Sequence, residues 1–185
     1  MIRLVVAREH TTILSSLCAT CPYSPAGCCT SPPRLDLSDI ARIVRLGGRD
    51  WLLEELAAKR LVRHERWLTI QRRKTVPRED GPRVAACIYH GPKGCTISPD
   101  RRAATCNYYV CEEALAQGGA EGARARDVHA ALVQDFTRWD AELQRRVDET
   151  FPGGPVFEDP AFLDWLGEAF GEIGAGDDQP RRNGR

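Results

Sequence analysis

Long apolar runs are missing from this chain of 185 residues. Leu4 to Ala7 is the only such run in the opening MIRLVVAREH, too short for the core of a signal peptide. Nothing elsewhere approaches the roughly 18 to 20 apolar residues of a membrane-spanning helix. A membrane partner is therefore not expected, and the expected location is the cytoplasm. Surplus charge is missing as well, since Lys plus Arg equals Asp plus Glu at 26 each. No global field gathers nucleic acid or an anionic surface, so nucleic acid is set aside as a partner while a protein partner stays open. The chain also lacks an internal repeat and a Gly-rich strand-loop-helix segment that would hold a dinucleotide or S-adenosylmethionine. Its 42% hydrophobic and 28% charged residues are ordinary for a folded globular chain.

What is present is a patterned chain of one-domain length. Ile2 to Ala7 reads as a short strand or a lead-in segment. Pro22, Pro25, Gly27, Pro32 and Pro33 make Cys18 to Pro33 a loop. Leu37, Ile40, Ala41 and Val44 fall at helical spacing, with Asp36 or Ser38 as cap and Gly47-Gly48 as stop. A second helix follows over Asp50 to Lys59. Trp67, Leu68 and Ile70, then Val84 to Tyr89, read as strands separated by the polar run Lys74 to Pro82. His90 to Gly94 reads as a turn folding Cys95 back towards Cys87. Gly118-Gly119 marks a boundary before the strongest helical segment, Glu121 to Thr150. Its largely apolar stripe of Val128, Ala131, Leu132, Asp135, Phe136, Trp139, Leu143 and Val147 is expected to pack against the rest of the chain. A last helix spans Pro160 to Ile173. The expectation is one α+β domain, mostly helical with a short β-hairpin, over residues 1–175, followed by a disordered tail over 176–185.

The eight cysteines fall in two bursts: Cys18, Cys21, Cys28 and Cys29, then Cys87, Cys95, Cys106 and Cys111. A chain this long can bury a core without covalent staples, and cytoplasmic thiols stay reduced, so clustered cysteines point to metal rather than disulfides. Cys18 and Cys21 have the Cys-x-x-Cys spacing that turns two thiolates onto one ion or cluster. Cys28 and Cys29 are adjacent, and neighbouring side chains are expected to diverge rather than share one ion. Cys106 and Cys111 are five apart, about 140° on a helix, so a break between them is expected. No second Cys-x-x-Cys or His pair completes a zinc finger, and the run is not that of a bacterial ferredoxin. A thioredoxin-like dithiol would need Cys18-Cys21 at a helix start, where Pro22 and Pro25 stand instead. The sulfur ligands suit an iron–sulfur cluster and zinc alike.

Cys18-Ala-Thr-Cys21 with Cys28-Cys29, then Leu35, Leu37, Asp39-Ile40 and Leu46-Gly47, resembles the opening of the YkgJ-like cysteine-cluster family, also described as a zinc- or iron-chelating domain. Cys87-Ile-Tyr, Gly94-Cys95-Thr-Ile97, Arg101 or Arg102, and Cys106 resemble its later pattern, so the resemblance covers residues 15–111. The gap from Cys21 to Cys28 is longer than usual there, Arg102-Ala103 replaces an Arg-Pro, and Asn107 replaces an Arg. The resemblance implies a small protein holding a [4Fe-4S] cluster or zinc through cysteines of both bursts, for electron transfer or metal handling. The same domain resembles part of flagellin lysine methylases, which makes an iron–sulfur-dependent methyltransferase-like or redox enzyme the alternative.

Among other residues, His90 is close enough in sequence to Cys87 and Cys95 to complete a mixed site, though an exposed turn histidine is the plainer reading. Tyr108 and Tyr109 could shield a cluster or simply pack. The run Arg60, Arg63, Arg66, Arg72 and Arg73 around Trp67 reads as a solvated face rather than a nucleic-acid patch.

Overall fold

The computed structural model describes residues 2–5, 12–15, 26–78, 81–92 and 94–177. It is a mixed helical and antiparallel β structure. Strand β1 (Ile2–Val5) pairs with β2 (Thr12–Ser15), Ile2 facing Ser15. After a 3₁₀ turn at Gly27–Thr30 come β3 (Arg34–Leu35), α1 (Leu37–Ile43) and α2 (Arg49–Ala57). Strands β4 (Leu61–Arg63) and β5 (Leu68–Ile70) join β3 in a sheet of order β3-β5-β4. A ribbon of β6 (Arg72–Arg78) and β7 (Gly81–Cys87) follows, then the small pair β8 (His90–Gly91) and β9 (Gly94–Cys95). Helices α3 (Ala104–Tyr108), α4 (Glu112–Gln117), α5 (Ala120–Thr150) and α6 (Pro160–Asp177) follow.

Two apolar cores hold these pieces. The larger collects Leu37, Ile40 and Ile43 of α1, Leu35 and Leu68 of the sheet, Leu143 and Val147 of α5, and Phe162 and Leu166 of α6. The smaller joins Ile2 and Ile13 of the first hairpin to Tyr108, Val110, Leu115 and Leu132. Phe136 of α5 packs against both. The α5 stripe therefore faces inward as its period implies, with Leu132, Trp139, Leu143 and Val147 buried and Ala131 exposed.

Glycine sets the turn between α1 and α2. Helical angles fail at Leu46 and Gly47, and Gly47 takes φ 76°, a left-handed conformation that side chains with a Cβ resist. The expected stop at Gly47-Gly48 is thus a sharp bend, with α2 beginning one residue later.

Several expectations are revised. Lys74 to Pro82 is not an irregular separator, because Arg72–Arg78 forms β6 and pairs with β7, with bulges around Val76. The turn at His90 to Gly94 is itself a small strand pair, with Cys95 opposite His90. Neither Asp36 nor Ser38 caps α1 with its side chain; instead Asp140 Oδ1, on α5, accepts the Ser38 N–H at 3.2 Å. Helix α6 runs past Ile173 to Asp177, so Gly176 and Asp177 belong to it. The rest of the expected tail, 178–185, lies outside the described residues.

Candidate metal centre

The described part of the first burst sits on the 3₁₀ turn. Gly27, at φ 50°, opens a tight reversal that the Cys29 N–H closes onto Ala26 O at 3.0 Å. Thr30 Oγ1 donates to Gly27 O at 2.9 Å, and Arg72 Nη1 of the ribbon donates to Thr30 O at 3.3 Å. The first burst is thereby docked at the base of β6-β7, whose last residue is Cys87. Cys18 and Cys21 lie outside the described residues.

The second burst is placed by buried polar anchors. Cys87 is buried, and two residues on Tyr89 donates from its hydroxyl to Glu55 Oε2 on α2. Arg60 holds the same carboxylate with two hydrogen bonds of 2.6 and 2.8 Å. Tyr89 O accepts from the Thr96 N–H and Thr96 Oγ1 at 2.8 and 3.0 Å, which fixes the strand bearing Cys95. Cys106 lies in the single-turn helix α3, whose Ala104 N–H donates to the buried Asp39 Oδ1 at 2.6 Å. Arg42, wholly buried, donates to Arg102 O. Arg101 reaches the bend after α1, Nη1 to Leu46 O at 3.0 Å and Nη2 to Gly47 O at 2.8 Å.

The break expected between the last two cysteines is there. Helix α3 ends at Tyr108, Tyr109 is extended, and Cys111 is the N-cap residue of α4. Cys111 packs against the smaller core. Tyr108 is buried against His129 and Phe136, with centroids at 5.3 and 6.1 Å, and so serves the core, whereas Tyr109 is exposed.

Electrostatics bring five thiols into one neighbourhood. Cys28 is lowered to about 6, chiefly because the Cys29 thiol donates a hydrogen bond to its sulfur. Cys29 is pushed far up by that same bond, then by burial and by Cys28, Cys87 and Cys106. Burial raises Cys87, and Cys95 adds to the rise. Cys106 is pushed up to about 12 by burial, then by Cys95, Asp39, Cys87 and Cys28. Its residue surface is open, yet the protein around it is dense enough for desolvation to lead. The adjacent pair corrects an expectation: Cys28 and Cys29 do not diverge but meet, because a 3₁₀ turn rotates successive side chains less far apart than an extended strand does.

The 3₁₀ turn, β7, β9 and α3 thus each carry sulfurs near enough to influence one another, and sulfur is the donor type that soft metals and iron–sulfur clusters take. Among the described residues no three His, Cys, Asp or Glu side chains stand at the spacing of an assembled metal site. The donor type is that of a thiolate-bound metal.

The arginine run is accounted for otherwise. Arg63 pairs with Glu158 at 3.1 Å and Arg66 with Asp148 at 2.7 Å, while Arg60 is committed to Glu55. Among the described residues no helix is long and apolar enough to cross a membrane. Sequence reasoning passed over Arg42 and Glu55, and took Asp39 and Arg101 only as parts of the resemblance, with no role for either. A signal existed for Asp39 and Arg42, polar residues three apart inside the apolar pattern of α1. Comparison with protein-family models, curated proteins and solved structures finds no match.

Proposed function

We propose that the chain is a metal-binding protein of the YkgJ-like type, holding a [4Fe-4S] cluster or zinc through thiolates of both bursts, for electron transfer or metal handling. The observation that carries this reading is that Cys28, Cys87 and Cys106 all act on the Cys29 thiol, and Cys95 on those of Cys87 and Cys106. These residues come from both bursts, so local spacing alone does not account for their influence on one another. A bound cluster would supply one-electron chemistry, and zinc a structural tie. The chain's own part is to gather the sulfurs, shield Cys87 from water and keep the thiols close.

Anaerobic purification with elemental analysis tests the reading. Absorbance near 400 nm that bleaches with dithionite is expected for iron–sulfur, and stoichiometric zinc in a colourless protein for the other metal. Cys21→Ser is expected to lose metal and Cys106→Ser to bind it more weakly and through one thiolate fewer, while Cys111→Ser binds it as the wild type does. A chain purified without either metal, and unable to take up either, overturns the proposal.

A further inference from the structure

The segment that carries Cys106 makes an unusual set of long-range hydrogen bonds, and they all end on one place. Ala104 N–H donates to Asp39, Arg42 to Arg102 O, and Arg101 to both Leu46 O and Gly47 O. Asp39 and Arg42 lie on α1, and Leu46 and Gly47 form the bend that follows. Two further bonds stiffen the segment itself: Arg102 Nε donates to Ile97 O at 2.9 Å, and Asn107 Nδ2 to Pro99 O at 2.7 Å.

Each receptor on the α1 side is specific to this contact. The Leu46 and Gly47 carbonyls are open because the bend takes them out of the helical ladder, which would otherwise use them. A Cβ on Gly48 would stand 2.5 Å from Ile43 Cγ2, 2.6 Å from Ile43 O and 2.9 Å from Arg101 Nη1, so glycine there leaves room both for the close turn and for the guanidinium. A single-turn helix such as α3 has little stability of its own, so its position depends on these ties.

We infer that Arg101 and Asp39 are positioning residues that latch the Cys106 segment onto α1 and its bend, and so hold the Cys106 thiol among the other sulfurs of the metal centre. The inference rests on the metal-binding reading. The two residues act through Cys106 and touch no metal.

Cobalt(II) is the probe, because its thiolate charge-transfer absorbance counts bound sulfurs. Arg101→Met removes both donors and keeps the aliphatic stem. It is expected to lose the share of one thiolate in that absorbance and to weaken binding roughly tenfold to a hundredfold, the range for residues that orient a ligand. Arg101→Lys, with one donor restored, is expected to recover part of both. In a Cys106→Ser background, Arg101→Met should change neither, since the residue then has nothing left to position. Asp39→Leu gives the same result if it folds.

In the metal-free protein, amide exchange across 97–108 should rise about tenfold or more in Arg101→Met. Exchange that stays at the wild-type rate overturns the latch whatever the metal result. A wild-type protein that binds cobalt with Arg101→Met indistinguishable from it also overturns the latch. Wild-type protein that binds no cobalt, zinc or iron overturns the metal reading instead, and the positioning role with it.

Discussion

Asp39 is a buried carboxyl in surroundings far from those of a free one. Burial lifts its pKa from 3.8 to about 6, opposed by the nearby Arg42 and by the Ala104 N–H. Between those two pH values the folded chain keeps a proton that the unfolded chain has released, so stability falls as pH rises through the interval. The contribution is present in full below about pH 4 and gone above about pH 6, on the order of 3 kcal/mol. Asp39→Asn, which retains an acceptor for Ala104, should remove that slope. Urea unfolding at several pH values checks it, and a variant whose stability still falls alongside the wild type would refute the assignment. At a plain packing position, Leu143 is fully buried, and Leu143→Ala is expected to lose about 2 to 5 kcal/mol by the same measurement.

At the scale of elements, α4 and α5 meet so closely that a Cβ on Gly122 would lie 1.8 Å from Leu115 O. Gly122→Ala should therefore destabilise the fold by roughly 1 to 3 kcal/mol, although alanine is the better helix former by about 1 kcal/mol. A thermal midpoint at or above that of the wild type would show that the two helices can part.

The same scale shows what could be read from sequence. The helices α1, α5 and α6 were legible because an apolar stripe at helical period is a direct imprint of a buried face. Strand β6 was not. Arg72 and Arg73 are exposed, so no alternation marks the strand, which exists through pairing with β7. The Asp140 cap of Ser38 and the Asp39 cap of Ala104 join residues 102 and 65 positions apart, and no local pattern records them. For the candidate site, the bursts themselves were plain. Which thiols meet was not, because it depends on where α1 and the ribbon carry Cys106 and Cys87.

For the whole molecule, α5 is the shared member: its 31 residues extend about 46 Å along both cores. The thiols straddle the same division, with Cys29 and Cys87 against the larger core and α3 set into the smaller. A metal bound there would join the two halves of the chain, and metal binding would appear as folding stability. At a free metal concentration a hundred times the dissociation constant the gain is about 2.7 kcal/mol, or roughly 5 to 10 °C in midpoint for a chain of this size. Calorimetry with and without added zinc, and again after chelation, measures it; an unmoved midpoint would mean that the centre does not brace the fold.

The bend at Gly47 exposes this protein to a particular hazard of optimisation. Replacing Gly47 or Gly48 with better helix formers would look attractive to selection or design for stability alone, because an uninterrupted α1–α2 helix satisfies its own carbonyls. The same change would withdraw the two oxygens that receive Arg101. Two ties on the Cys106 segment would go while those from Asp39 and Arg42 remained, and a Cβ at Gly48 would also press on Ile43. Helical regularity and the hold on this segment are therefore opposed at this one bend.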